Sequence, residues 1–170
     1  MGGVQKSPIT TLNDHPSLLI FAKFDPFEVR LATCAPNTLF TDEAHDLAVF
    51  RVDDLILPPL SIGDSSKLLS GQWVAAMGNP LSYRGMFSVG VLSQFYPGNA
   101  LVQDSVMFFS LSTDRGSSGG PILNMQGEVV GVVVGGYLYR EMFTFGIPTK
   151  FVVHLILFAQ NSLNTATTQR

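Results

Sequence analysis

The segment Asp114–Leu123 reads DRGSSGGPIL. Acyl transfer at a serine needs an exposed hydroxyl on a tight turn, with backbone N–H groups aimed at the developing oxyanion. Gly116 and Gly119 flank Ser118 closely. They free the backbone for sterically difficult angles and leave the amides open to a substrate carbonyl. A Gly/Ser-rich loop ending in Pro121 is the plain alternative. Upstream, Asp42–Val52 (DEAHDLAVFRV) puts Asp46 at the head of an apolar strand. A carboxylate there can orient a histidine, although a strand-edge turn is the commoner role of a lone Asp.

Such residues need rigid elements to position them, and the chain offers short strands. Phe27–Ala32, Leu47–Val52, Trp73–Met77, Phe87–Gln94, Val106–Leu111, Glu128–Val134 and Phe143–Ile147 are rich in Val and Phe. Clusters of Gly, Pro, Asn, Asp and Ser bound many of them, which indicates an all-β barrel or sandwich. Leu57–Leu69 reads as a link between two lobes. Thr149–Asn161 (TKFVVHLILFAQN) has no Gly or Pro and is long enough for a C-terminal helix. The polar residues 162–170 are expected to fray.

Composition narrows the function classes. At 170 residues the chain makes one domain or two small lobes. Its 46% hydrophobic content and net charge of −3 exclude bulk disorder. Ten Lys+Arg against thirteen Asp+Glu, with no basic run, argue against nucleic acid as a partner. The single cysteine, Cys34, excludes an internal disulfide and a multi-cysteine metal site. Its expected role is that of a small packed apolar residue. No run of about 18 apolar residues suggests a membrane span. MGGVQKSPITT lacks the apolar core of a secretory signal, and Lys6 breaks the myristoylation pattern.

Several ordered motifs then resemble the trypsin-like (chymotrypsin-fold) serine peptidases, most nearly the HtrA/Deg (DegP-like) branch. DLAVFRV matches that branch's Asp-Leu-Ala strand. Pro59–Leu81 (PLSIGDSSKLLSGQWVAAMGNPL) matches its stretch from the inter-lobe linker into a Gly-Asn-Pro turn. Phe87–Phe95 (FSVGVLSQF), Gly116–Val133 (GSSGGPILNMQGEVVGVV) and Phe145–Val152 (FGIPTKFV) follow in family order. The resemblance covers most of Asp42–Val153. It implies a two-lobed double β-barrel with a C-terminal helix. Residues 1–58 would form the first lobe, 59–161 the second, and 162–170 a tail.

Carried over, the resemblance makes Ser118 the nucleophile and Asp46 the carboxylate that orients the base. The N–H groups of Gly116 and Ser118 become the oxyanion hole. The strand Val132, Val133, Val134, Gly135 and Gly136 becomes the rail for substrate backbone. Ser112, six residues before Ser118, takes the pocket-base position. Asp114, only four before, is expected to be a solvated loop or structural carboxylate rather than a pocket charge. None of these roles needs a metal or cofactor. A serine at the nucleophile position excludes a cysteine peptidase.

Three histidines compete for the base. The ring of His45, beside Asp46, is expected to point away from the side that Asp46 faces. His154 falls in the expected helix. His15, 31 residues before Asp46, has the family's spacing and keeps an asparagine two residues ahead. Pro16 replaces the family's small apolar residue, which a first helical turn tolerates. Fourteen residues precede His15, fewer than the family's opening strands require, so the first lobe is expected to be an incomplete barrel. The chain would then be an incomplete copy, the product of a misplaced start, or a diverged relative that oligomerises with its own copies. A PDZ-like segment after the peptidase region is not expected.

The resemblance thus implies a serine endopeptidase acting on unfolded or extended polypeptides laid along a strand edge. A small or medium apolar residue would precede the cleaved bond. Two alternatives stay open: an inactive pseudoprotease that binds peptides or partner proteins, and an unrelated β-barrel module.

Overall fold

Strands in which apolar residues alternate with small polar ones must bury one face, and in the second half of the chain they do so by closing on themselves. The computed structural model describes residues 18–22, 39–51, 60–79, 85–96, 106–136 and 143–168. Strands β4 (Trp73–Gly78), β5 (Met86–Tyr96), β6 (Val106–Phe109), β7 (Pro121–Leu123), β8 (Val129–Gly136) and β9 (Thr144–Pro148) form a closed antiparallel barrel of order β4-β5-β6-β9-β8-β7. Pairing of Ala75 with Leu123 and Ala76 with Ile122 shuts it. Val74, Ala76, Leu92, Met107, Phe109, Leu111, Ile122, Val130 and Val133 fill the interior. The outer face of the β4–β5 pair stays apolar: Met77 sits opposite Phe87, and Trp73, Met77, Phe87 and Val89 are all exposed.

The first part of the chain supplies β1 (Leu18–Ala22), β2 (Leu39–Asp42) and β3 (Leu47–Arg51), an antiparallel sheet of order β1-β3-β2. The expected strand Phe27–Ala32 lies outside the described residues, as do His15 and Cys34.

Helix α1 (Thr149–Thr168) joins the two sheets. Val152, Leu155, Ile156 and Ala159 recur at helical spacing and share one buried cluster with Leu47 and Val49 of β3, Val132 of β8 and Ile147 of β9. Thr149 fixes the start of the helix. Its hydroxyl donates to the Gly63 carbonyl at 2.9 Å and accepts from the Ser65 N–H at 3.3 Å. The helix runs on to Thr168, so residues 162–168 are not a frayed tail. Without Gly or Pro the backbone ladder continues. Ser162 and Thr165 turn their hydroxyls onto the carbonyls of Phe158 and Asn161, each at 2.9 Å. The strap from Leu60 to Leu69 pairs along β8 through Gly63 N–H to Val129 O and Val129 N–H to Ser61 O, both 2.8 Å. Asp64 caps its short 3-10 turn, Ser65–Lys67.

Candidate active site

The loop between β6 and β7 is held at both ends before it reaches Ser118. At its entry the buried Thr144 hydroxyl lies 2.8 Å from the Leu111 carbonyl and 2.7 Å from the Thr113 hydroxyl. Two tight turns follow. Ser117 N–H donates to Asp114 O at 2.9 Å, and Gly120 N–H donates to Ser117 O at 3.0 Å. Gly116 takes φ 95° in the first turn, a left-handed angle that a Cβ would oppose. At the exit the loop lies on β8. Gly119 N–H donates to Val133 O at 2.7 Å, and Val133 N–H donates to Gly120 O at 2.9 Å.

Close approach to β4 fixes the loop from the other side. A Cβ on Gly120 would stand 2.1 Å from the Met77 carbonyl oxygen, which no side chain tolerates. Gly78 likewise lets the Ser117 Cα approach to 2.9 Å of where its Cβ would be. Ser117 is therefore buried, and the neighbouring Ser118 is half-buried. The Ser118 hydroxyl donates to the Val134 carbonyl at 3.3 Å. Among the described residues, neither the Gly116 nor the Ser118 amide donates to a backbone carbonyl. A hydroxyl on a turn beside two such amides is what attack on a carbonyl requires. A backbone carbonyl is no base, so deprotonating Ser118 needs a further group.

The other site residues are dispersed. Ser112 and Asp114 are exposed, and the Asp114 carboxylate accepts from the Arg115 N–H at 2.7 Å. Val132 and Val133 face opposite cores, so β8 presents its backbone near Ser118 rather than those side chains. Val134 and Gly135 are half-buried, at a register shift against β9. Asp46 ends the β2–β3 turn, exposed, with φ 54°. His154 is exposed on α1. The imidazole of His45 stacks on Phe151 with centroids 3.7 Å apart, and its Nδ1 lies 2.6 Å from Asp42 Oδ2. Asp42 and Phe151 escape a motif reading because turn geometry, not spacing, brings them to His45. The Gly-Asn-Pro turn after β4 was the available signal for Gly78. Among the described residues, no cluster of three or more His, Cys, Asp or Glu could hold a metal, and no helix is long and apolar enough to cross a membrane.

Several known proteins are similar to this chain. The trypsin-like peptidase domain family matches residues 21–132. A protein of Hahella chejuensis named "Probable periplasmic serine endoprotease DegP-like" is 38% identical over 135 residues, 76% of this chain and 28% of its own length. A protein of the same name from Pseudomonas fluorescens is 31% identical over 154 residues, 86% of this chain and 31% of its own. The chain thus spans less than a third of these relatives. Among solved structures, the HtrA-type protease AlgW with a decapeptide superposes at a TM-score of 0.69, with 20% identity, over 88% of this chain and 49% of that one. Deg5 superposes at 0.59, with 27% identity, over 69% of this chain and 57% of that one.

Proposed function

Because the chain belongs to the trypsin-like peptidase domain family, we propose that it is a serine endopeptidase of the HtrA/Deg kind, hydrolysing peptide bonds through an acyl-enzyme. The observation that carries this reading is Ser118, set on a glycine-flanked turn against β8, beside two amides that no described carbonyl takes up. In this mechanism Ser118 Oγ attacks the substrate carbonyl while His15 takes its proton. Asp46 orients the imidazole. The Gly116 and Ser118 amides hold the tetrahedral oxyanion, and His15 then passes the proton to the departing amine. Water hydrolyses the acyl-enzyme by the same steps. Residues 1–58 supply base and orienting carboxylate, and residues 59–161 supply nucleophile and oxyanion hole.

The substrate is an unfolded or extended polypeptide whose backbone lies along Val132–Gly136, beside Ser112. The fold likeness to AlgW, solved with a decapeptide, supports that class. Ser112 carries no charge, which favours a small or medium apolar residue before the cleaved bond.

A fluorophosphonate probe reacts with a serine only where a base activates it. The wild-type chain labels. Ser118→Ala abolishes labelling and lowers peptide hydrolysis by at least about 10³-fold without changing the melting temperature. His15→Ala also abolishes labelling. Labelling that survives His15→Ala removes that residue from the mechanism. A folded wild-type chain that does not label sinks the peptidase reading and leaves a peptide-binding relative.

A further inference from the structure

We infer that His45 is a positioning residue, the pin that holds Asp46 in register with the lobe carrying Ser118; this rests on the peptidase reading above. The pin starts in a four-residue turn, Glu43–Asp46, between paired Asp42 and Leu47. The Asp42 carboxylate grips His45 twice. Oδ1 accepts from its backbone N–H at 3.3 Å, and Oδ2 accepts from Nδ1 at 2.6 Å. An ionised carboxylate only accepts, so Nδ1 carries the proton and the ring orientation is set. The imidazole then lies nearly flat on Phe151, at 29° between planes. Its side chain is 12% exposed.

The next residue shows what the grip sets. Asp46 is the one non-glycine residue with a positive φ among the described residues. Asp is, with Asn, among the few residues with a Cβ that take that conformation, and the way the turn is held then sets where its carboxylate sits. Asp42 restrains the turn from within the hairpin, and Phe151 restrains it from the helix. Lys150 Nζ, 4.5 Å from the Phe151 ring centroid, adds a cation to the same stack.

Phe151 is well placed to transmit position. It lies in the first turn of α1, which follows β9 directly. Pro148 of β9 pairs with Gly131 of β8. Val133 and Val134 of β8 in turn hold Gly119, Gly120 and the Ser118 hydroxyl. Paired backbone thus runs from Ser118 to Phe151, and one ring stack carries it on to the residue before Asp46. A catalytic group displaced by about 1 Å can lose about 10²-fold in rate. A pin between lobes therefore acts on turnover as well as on stability.

The experiment compares His45→Ala, His45→Phe and Phe151→Leu for probe-labelling rate, kcat and KM on an unfolded polypeptide. His45→Ala is expected to lower labelling rate and kcat by about tenfold to hundredfold, with KM within about twofold. His45→Phe keeps an aromatic stack and loses the Asp42 bond, so it falls between. It also carries the test should His45→Ala not fold. Proton NMR reads the stack independently of activity: the His45 ring protons are shifted upfield over Phe151 and return in Phe151→Leu. Either His45 variant labelling at the wild-type rate, or a loss confined to KM or to melting temperature, overturns the role. Wild-type protein that does not label overturns the peptidase reading and this role with it. Unshifted ring protons in a protein that does label overturn the pin alone.

Discussion

Phe109 and Val49 are both fully buried, but different partners bury them. Phe109 is enclosed by strands of its own barrel, among Val74, Leu92, Met107 and Ile122. Val49 shares its cluster with Val152, Leu155, Ile156 and Ala159 of the helix and Val132 and Ile147 on the outside of the barrel, beside Leu47 and Phe40 of its own sheet. Among the described residues the barrel therefore supplies its own core, while the three-stranded sheet shares one with the helix and the outer face of the barrel. The nucleophile loop is built on the barrel, and the proposed orienting carboxylate is built on the sheet that shares its core.

Truncating each core separates the two kinds of burial. Phe109→Ala is expected to destabilise the whole chain by about 3–5 kcal/mol, read by urea denaturation followed by far-UV circular dichroism. Ile156→Ala removes a 2%-exposed side chain from the shared cluster, at a cost of about 2–4 kcal/mol. Its damage is uneven: native-state hydrogen exchange should expose the β2 and β3 amides well before those of β5 and β6. Equal loss of protection in both sheets would break the comparison. Asp64→Ala, in the strap, should cost less than about 1 kcal/mol. Bonds from the Ser66 side chain and backbone, and the Lys67 ammonium nearby, hold the Asp64 carboxyl below its ordinary pKa. A lowered folded value gives stability that is present above the ordinary carboxyl range. That stability is lost as the pH falls through the folded value. A wild-type advantage over Asp64→Ala that grows on acidification would contradict this.

The barrel was legible because its strands alternate Val and Phe between turn residues. Five of the expected strand positions fall on β4, β5, β6, β8 and β9 within a few residues. β7 and β2 were not legible. β7 is three residues long and begins with proline, and β2 (LFTD) is too short to show a period. The helix end was not legible, because polarity alone suggests fraying, yet Ser162 and Thr165 satisfy themselves on their own helix. At the candidate site, the SGGP turn could be read directly, since glycine spacing reflects backbone demand. His45 could not. Adjacency to Asp46 separates the two side chains only where strand alternation holds, and the chain turns there with a left-handed residue.

The outward strip of the β4–β5 pair has a practical consequence. Trp73 is the chain's one tryptophan, and it is 59% exposed. Its indole is already hydrated in the native protein, so its emission maximum should sit well to the red and move little on unfolding. Intrinsic fluorescence will then report a protein that looks unfolded while its barrel is intact, and a flat emission trace during a melt says nothing about the core beneath.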